Sequence, residues 1–197
     1  VLLDVVGGQF DLGAAALIHG RAEDLSNLTY DGLYAADASA QTQTVTSLAV
    51  RSVMGGKANL NNPDGQYVIV GTLLAGKGSA DQQAEAGSIS IKGNSLQIYG
   101  DVFAGNGGSI ELDLGAGAIL EGQVDDYHEL VGLEEGTVFR NSAFKSAEDG
   151  SELAVTSAGS VKLNLNGGKW FARGQSFVDQ VSFGTSGGTI DQRHLRS

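Results

Sequence analysis

Short runs of alternating apolar and polar residues recur along this chain, separated by Gly, Asn and Ser. Such alternation is typical of half-buried β-strands rather than helices. The clearest runs predict strands at residues 89–91, 96–98, 102–103 and 110–114. Further strands are predicted at residues 1–6, 14–18, 44–50, 57–60, 67–70, 72–74 and 161–165.

One strand of this pattern is repeated. The sequence GSISI at residues 87–91 returns 21 residues later as GSIEL and 51 residues after that as GSVKL. A longer similarity aligns residues 10–20 with residues 112–122 at a constant offset of 102. A short repeat of strands and turns predicts a β-solenoid, because one coil cannot bury its apolar face alone and buries it by stacking. We therefore predict an all-β fold that forms a single domain over residues 1–197.

The repeat also predicts which side chains are buried, since strand residues alternate between two faces. Four leucines are expected to face the interior: Leu112, Leu114, Leu163 and Leu165. Their polar neighbours are expected to face outward: Glu111, Asp113, Lys162 and Asn164.

Two stretches near the N-terminus are less regular. Residues 14–18 are rich in Ala, the best helix former, but their similarity to residues 115–120 favours a strand. Residues 21–43 are polar and irregular, with several Leu and Tyr close to helical spacing, which predicts a short helical or looped excursion.

The strand pattern stops between residues 127 and 158, a stretch rich in Asp and Glu. Loops this long are usually functional or disordered, so we interpret it as an insertion between coils and as a candidate contact loop. The candidate contact residues are Tyr127, His128, Phe139, Arg140, Phe144 and Lys145. Because loop-closure entropy depends only weakly on length, excising the insertion is expected to leave stability almost unchanged.

Several segments resemble the coil pattern of pertactin-like passenger domains of Gram-negative type V autotransporters. The resemblance is carried by residues 98–104 (IYGDVFA), 107–114 (GGSIELDL), 118–124 (AILEGQV), 161–170, 176–182 and 188–191. It implies a right-handed parallel β-helix that crosses the periplasm and outer membrane through its own barrel and is displayed at the cell surface. The chain departs from the pattern at the insertion and at residues 171–173.

The same resemblance implies the function. We expect a stalk segment that adheres to a host-cell surface, a matrix component or another copy of itself, with no enzymatic activity and no cofactor. One alternative is a stalk that carries an upstream enzymatic domain. Another is a C-terminal module that nucleates folding during secretion. The clustering of Trp170, Phe171, Phe177 and Phe183 predicts that the C-terminal coils are the most stable.

Composition excludes some classes of partner and site. With 23 acidic against 12 basic residues and a formal net charge of −11, the chain is expected to bind neither nucleic acid nor anionic lipid. The absence of cysteine excludes disulfides and thiolate metal sites. No run approaches the ~18 apolar residues of a transmembrane helix, so no membrane insertion is expected. Since Val1 is neither a start methionine nor part of a signal peptide, we expect a piece of a longer protein.

Few motifs indicate chemistry. Residues 184–188 (GTSGG) fit the G-x-S-x-G pattern, but they lie between two predicted strands and lack the strand-to-helix context of a nucleophile elbow. The histidines His19, His128 and His194 are scattered and do not have metal-ligand spacing. Neither motif predicts catalysis or metal binding.

Other residues have two interpretations. Glu121, Asp125 and Asp126 could form a paired-carboxylate or Ca²⁺ site, but in so acidic a chain they are more simply a solvated face. The aromatic cluster around Trp170 could be a carbohydrate platform, although core packing explains the same spacing. Residues 27–29 (NLT) form a glycosylation sequon, which we expect to be unused in a bacterial surface protein.

Overall fold

A computed structural model describes residues 2–13, 22–23, 43–47, 49–62 and 67–193. Over these residues the chain forms β-strands and one 3-10 helix (His128–Gly132), with no α-helix. Three parallel sheets stack their strands in register, so the chain is a parallel β-helix. The predicted fold class is confirmed.

The chain visits the three sheets in turn, and the strands are numbered in chain order. Sheet A contains β1 (Leu2–Val6), β5 (Ala49–Val53), β8 (Leu73–Ala75), β11 (Val102–Ala104) and β14 (Val124–Asp125). Sheet B contains β2 (Gln9–Gly13), β6 (Lys57–Asn62), β9 (Ser88–Gly93), β12 (Ser109–Leu114), β17 (Ser160–Leu165) and β19 (Gln180–Phe183). Sheet C contains β3 (Ala22–Glu23), β4 (Gln43–Ser47), β7 (Tyr67–Val70), β10 (Gln97–Tyr99), β13 (Ile119–Gly122), β18 (Lys169–Ala172) and β20 (Thr189–Asp191).

Among the strands that the structure describes, two pairings are antiparallel. In sheet C, β3 pairs antiparallel with β4. Outside the three sheets, β15 (Phe139–Lys145) and β16 (Glu152–Val155) form an antiparallel hairpin within the insertion.

The register confirms the short repeat and corrects the long one. Ser88, Ser109 and Ser160 occupy equivalent positions in neighbouring strands of sheet B, as the repeated sequence predicts. The same ladder places Phe10 in the column of Ile110 rather than Leu112. The predicted offset of 102 is therefore wrong by two residues over β2, an error that keeps the inward and outward faces unchanged.

The glycine that begins each short repeat has a steric reason. A Cβ atom at Gly87, Gly108 or Gly159 would overlap the backbone of a sheet A strand in the preceding coil. For Gly108 the overlapped atoms belong to the carbonyl of Ala75 and the amide of Gly76. The corner between sheets A and B is thus too tight for any side chain, which is why the repeat starts with Gly.

Alternating side chains fill the interior of the helix as predicted. Leu112, Leu114, Leu163 and Leu165 are fully buried, whereas Glu111 and Lys162 are exposed and Asp113 and Asn164 half-buried. The continuous core runs through all three sheets, from Val5 to Ala172. Burying this apolar surface between stacked coils is the main stabilising contribution.

Several strand predictions need correction or lie beyond the described residues. The single strand predicted at residues 44–50 is two strands in different sheets, β4 and β5. The strand predicted at residues 14–18 lies outside the described residues. Of the excursion predicted at residues 21–43, only β3 and the start of β4 are described.

The C-terminal aromatics do not form the expected core cluster. Trp170 is buried, and its indole Nε1 donates to the carbonyl oxygen of Gly122 over 3.1 Å. Phe171 and Phe177 are half-buried, and Phe183 is 53% exposed. The large side chains that are fully buried lie between Ile69 and Leu165. The aromatic cluster therefore does not support a most stable C-terminal end, and that stability stays a prediction.

Candidate contact surface on the insertion

The insertion at residues 127–158 is an ordered hairpin that packs on the outside of sheet A. After the 3-10 helix, β15 and β16 pair antiparallel through Phe139 with Val155 and Arg140 with Ala154. Their apolar side chains meet the outward-facing residues of the coils in a second hydrophobic cluster. The cluster consists of Val53, Leu74, Phe103, Tyr127, Phe144 and Val155.

Aromatic contacts hold this second cluster together. Phe144 is 3% exposed, and its ring lies edge-on to that of Tyr127 with centroids 5.7 Å apart, a favourable geometry. Tyr127 also contacts Phe139 at a centroid distance of 6.0 Å. The hairpin is therefore part of the folded body and not a free loop.

Two consecutive aspartates fix the start of the insertion. Asp125 Oδ1 accepts a hydrogen bond from the Tyr127 N–H over 2.8 Å, and Asp126 Oδ1 accepts from the His128 N–H over 3.1 Å. Between them Tyr127 adopts a left-handed backbone conformation with φ of 57°. Asp126 Oδ2 also accepts from the backbone N–H of Val161 and that of Asp179. One buried carboxylate thus joins three segments of chain.

Asn106 fixes the end of the insertion from the neighbouring turn. Its Oδ1 accepts from the Thr156 N–H over 2.9 Å, and its Nδ2 donates to the Ala154 carbonyl over 3.2 Å. Its own N–H donates to the carbonyl of Ser157 over 2.9 Å. Asn106 has a positive φ of 51°, which Asn tolerates better than most residues.

The far end of the hairpin is also tied down. The Ala147 N–H donates to the Gly78 carbonyl over 2.8 Å. Arg51 Nη1 donates to the Lys145 carbonyl over 3.2 Å, while the same guanidinium pairs with Asp4 over 2.6 Å. Anchors at the start, the end and the tip hold the hairpin in one orientation.

The structure separates the six predicted contact residues into two groups. Tyr127 and Phe144 are buried in the second cluster, and Phe139 is half-buried at its edge. The other three are exposed: His128, Arg140 and Lys145. His128 Nδ1 lies 3.9 Å from Asp179 Oδ1, and Arg140 lies 3.5 Å from Glu152.

Three apolar residues that the sequence analysis did not select are the most exposed of their kind in the insertion. Val131 is 70% exposed, Leu133 48% and Val138 44%. We call these three residues the apolar patch; Glu134 and Glu135 lie between them and are exposed. The sequence could have indicated this exposure: in residues 131–138 (VGLEEGTV) the apolar residues do not alternate with polar ones as they do in a half-buried strand.

The three carboxylates near the insertion are structural rather than solvated. Glu121 is fully buried and accepts from Arg173 Nε over 2.8 Å and Nη2 over 2.5 Å. Burial raises the pKa of Glu121, and Arg173 opposes that rise. Burial also raises the pKa of Asp125 to about 6, and the negative charges of Glu129 and Asp126 add to the effect. Among the described residues, no cluster of His, Asp and Glu is placed to hold a metal ion.

The remaining sequence motifs lie in a turn, in the core or outside the described residues. Residues 184–188 form the turn between β19 and β20, two strands, as the pattern predicts. Trp170 lies in the core and offers no platform. His19, His194 and the sequon at residues 27–29 lie outside the described residues.

No family model, curated protein or solved structure significantly matches this chain. The function must therefore be argued from the geometry of its own surfaces. Within the described ranges, no helix combines the length and apolarity that crossing a membrane requires.

Proposed function

We propose that this chain is a segment of an autotransporter passenger domain displayed on the surface of a Gram-negative bacterium. Its stacked coils serve as a rigid stalk, and the insertion makes adhesive contact with a protein on a host cell or in the matrix. The segment reaches the surface through the periplasm and its own outer-membrane barrel. This function requires no cofactor and no catalysis. The coil pattern at residues 98–124 and the parallel β-helix support the proposal.

The observation that carries the adhesive role is the apolar patch. Single exposed apolar residues are common on protein surfaces, but several of them within one short surface segment are typical of an interaction site. Val131, Leu133 and Val138 lie within one short stretch of the insertion. Because Glu134 and Glu135 lie among them, the partner surface should combine an apolar centre with basic residues.

The anchoring of the hairpin favours binding. A contact surface that is ordered before binding loses less conformational entropy when the partner arrives. The turns at Asp125 and Asp126 and the clamp at Asn106 order both ends of the insertion. The patch is therefore presented in a fixed orientation on the stalk.

The proposal is tested by making the patch polar without disturbing the hairpin. The triple variant Val131→Ser, Leu133→Ser and Val138→Thr changes exposed side chains only, so its thermal unfolding should match that of the unchanged chain. Binding of the purified variant to cultured epithelial cells and to matrix-coated plates should fall at least tenfold, a loss of about 1.4 kcal/mol. Phe183→Ser, which changes an equally exposed apolar residue outside the insertion, is the control and should bind normally.

Two results would overturn the adhesive role. One is full binding by the triple variant, which would exclude the patch as the contact surface. The other is equal loss in the triple variant and in Phe183→Ser, which would indicate nonspecific hydrophobic adsorption. A third result would change the partner. If the triple variant still binds cells but no longer dimerises as the unchanged chain does at high concentration, the patch contacts a second copy of this chain and not a host protein.

A further inference from the structure

A polar groove lies where the insertion meets the coils. It is bordered by β15 of the hairpin, by β11 and β14 of two successive coils, and by the segment that precedes β19, and its volume is about 530 Å³. None of the apolar patch residues lines it. The groove therefore goes beyond the proposed contact function and is a separate site.

The groove combines aromatic rings with fixed polar groups. Phe139 and Phe177 are half-buried, so each presents part of its ring to the groove. Asn141 is held by its Nδ2, which donates to the Tyr127 hydroxyl over 2.8 Å, and by its Oδ1, which accepts from the Ala143 N–H. Gln123 is held by its Nε2, which donates to the Gln175 carbonyl over 2.8 Å. These side chains are ordered before any ligand arrives.

An unsatisfied carboxylate oxygen points to a missing hydrogen-bond donor. Glu129 lines the groove, and its Oε2 is buried without a hydrogen-bond partner among the described residues. A buried carboxylate oxygen without a donor is costly, and native structures contain few such atoms. Asp125 adds a second carboxylate to the same wall and uses its Oδ1 for the Tyr127 N–H. Glu129 as a whole is half-buried, so a small rotation of its side chain would bring this oxygen into the groove, where a ligand that donates a hydrogen bond would remove the cost.

We propose that this groove binds a neutral saccharide. Sugar hydroxyls donate to the carboxylates of Glu129 and Asp125 and pair with the amides of Gln123 and Asn141. The C–H face of the sugar ring packs against Phe139 and Phe177, the mixture of apolar walls and few fixed polar groups that small-molecule sites use. Two carboxylates in one wall repel acidic sugars, since the guanidinium of Arg140 is paired with Glu152.

The test uses saturation-transfer NMR on the purified chain with a panel of uncharged oligosaccharides, namely maltotriose, cellotriose, chitotriose and lacto-N-tetraose. Trigalacturonic acid is the charged comparison. At least one uncharged sugar at millimolar concentration should receive saturation, and the acid should receive none. Glu129→Gln should weaken that binding about tenfold while leaving the fold intact, since it keeps the shape of a half-buried side chain but removes the charge that strengthens hydrogen bonds from the sugar hydroxyls. Glu134→Gln, an exposed change on the same insertion, should bind as the unchanged chain does.

Each opposite result overturns the saccharide site. It is wrong if no uncharged sugar receives saturation, if trigalacturonic acid binds as well, or if Glu129→Gln binds with unchanged affinity. The result is separable from that for adhesion, because the apolar patch variants leave the groove intact. Sugar binding without cell binding would reject only the adhesive role, and cell binding without sugar binding would reject only the groove.

Discussion

Arg173 places its guanidinium 2.5 Å from the carboxylate of Glu121, and that carboxylate is fully buried between two coils. The two residues lie 52 positions apart in the sequence, on β13 and directly after β18. Residues 171–173 are where the chain departs from the coil pattern that its other segments resemble. The departure has a structural reason, since Arg173 supplies the positive charge that a buried Glu121 requires.

Arg173→Ala should lower the free energy of unfolding by about 3 kcal/mol, because it leaves a buried carboxylate without its main counter-charge. Urea unfolding at neutral pH measures this loss. Adding Glu121→Gln in the same chain should restore part of the stability, since it removes the charge itself. A double variant less stable than Arg173→Ala would show that Glu121 is held mainly by other contacts.

Gly108→Ala should lower the free energy of unfolding by about 2 kcal/mol or more, because its Cβ would overlap the carbonyl of Ala75. Gly132→Ala is the matched control, since no atom beyond its own helix and chain neighbours lies within 4 Å of the position that its Cβ would occupy. Chemical unfolding of the two variants compares them directly. Equal stabilities would mean that the corner between sheets A and B can open at little cost.

The sheet B strands could be predicted from the sequence because each has one buried and one exposed face. In β12, buried Ile110, Leu112 and Leu114 alternate with polar residues, and that alternation is a local signal. Sheet A gives a weaker signal, since all residues of β8 and β11 are buried. The hairpin covers their outer face, so alternation is lost and only short apolar runs remain.

The site was less predictable because it depends on contacts between distant residues. Nothing local in residues 139–155 indicates that Phe144 packs on Leu74 and Phe103 of sheet A. The choice of aromatic residues as contact candidates therefore included two that are buried, Tyr127 and Phe144.

Phe144→Ala should lower the free energy of unfolding by about 3 kcal/mol, since it removes a buried aromatic ring from the second cluster. Phe183→Ala, at an exposed position, should change it by less than about 0.5 kcal/mol. The same cluster revises the expectation for excision of the insertion. Removing it would expose Val53, Leu74 and Phe103, so stability should fall rather than stay unchanged.

Acidification from about pH 7 to about pH 5 should stabilise the protein. The pKa of Asp125 is raised to about 6 in the fold from 3.8, so the folded state binds a proton more readily than the unfolded chain. The stability gained by protonating Asp125 is absent above about pH 6, grows as the pH falls, and is complete below about pH 4. The pKa values of Glu121 and Asp126 are also raised by burial, which gives the same sign.

Asp125→Asn should raise the stability at neutral pH and reduce the gain on acidification, because Asn keeps the acceptor for the Tyr127 N–H without the charge. Asp149→Asn is the control: hydrogen bonds from Ser151 lower the pKa of Asp149, so this group contributes stability above its unfolded pKa and loses it in acid. Unfolding curves across this pH range test both variants. A protein that is less stable at pH 5 than at pH 7 would contradict the sign.

Site-specific photo-crosslinking tests the proposed contact role of the insertion most directly. A photo-reactive amino acid is placed at Val131 in one chain and at Phe183 in another, both exposed positions, and each chain is irradiated on cultured epithelial cells and on matrix. We predict a covalent adduct with a host or matrix protein from position 131 and none from position 183. Adducts from position 183 alone, or from neither position on cells that demonstrably bind the chain, would contradict the proposal.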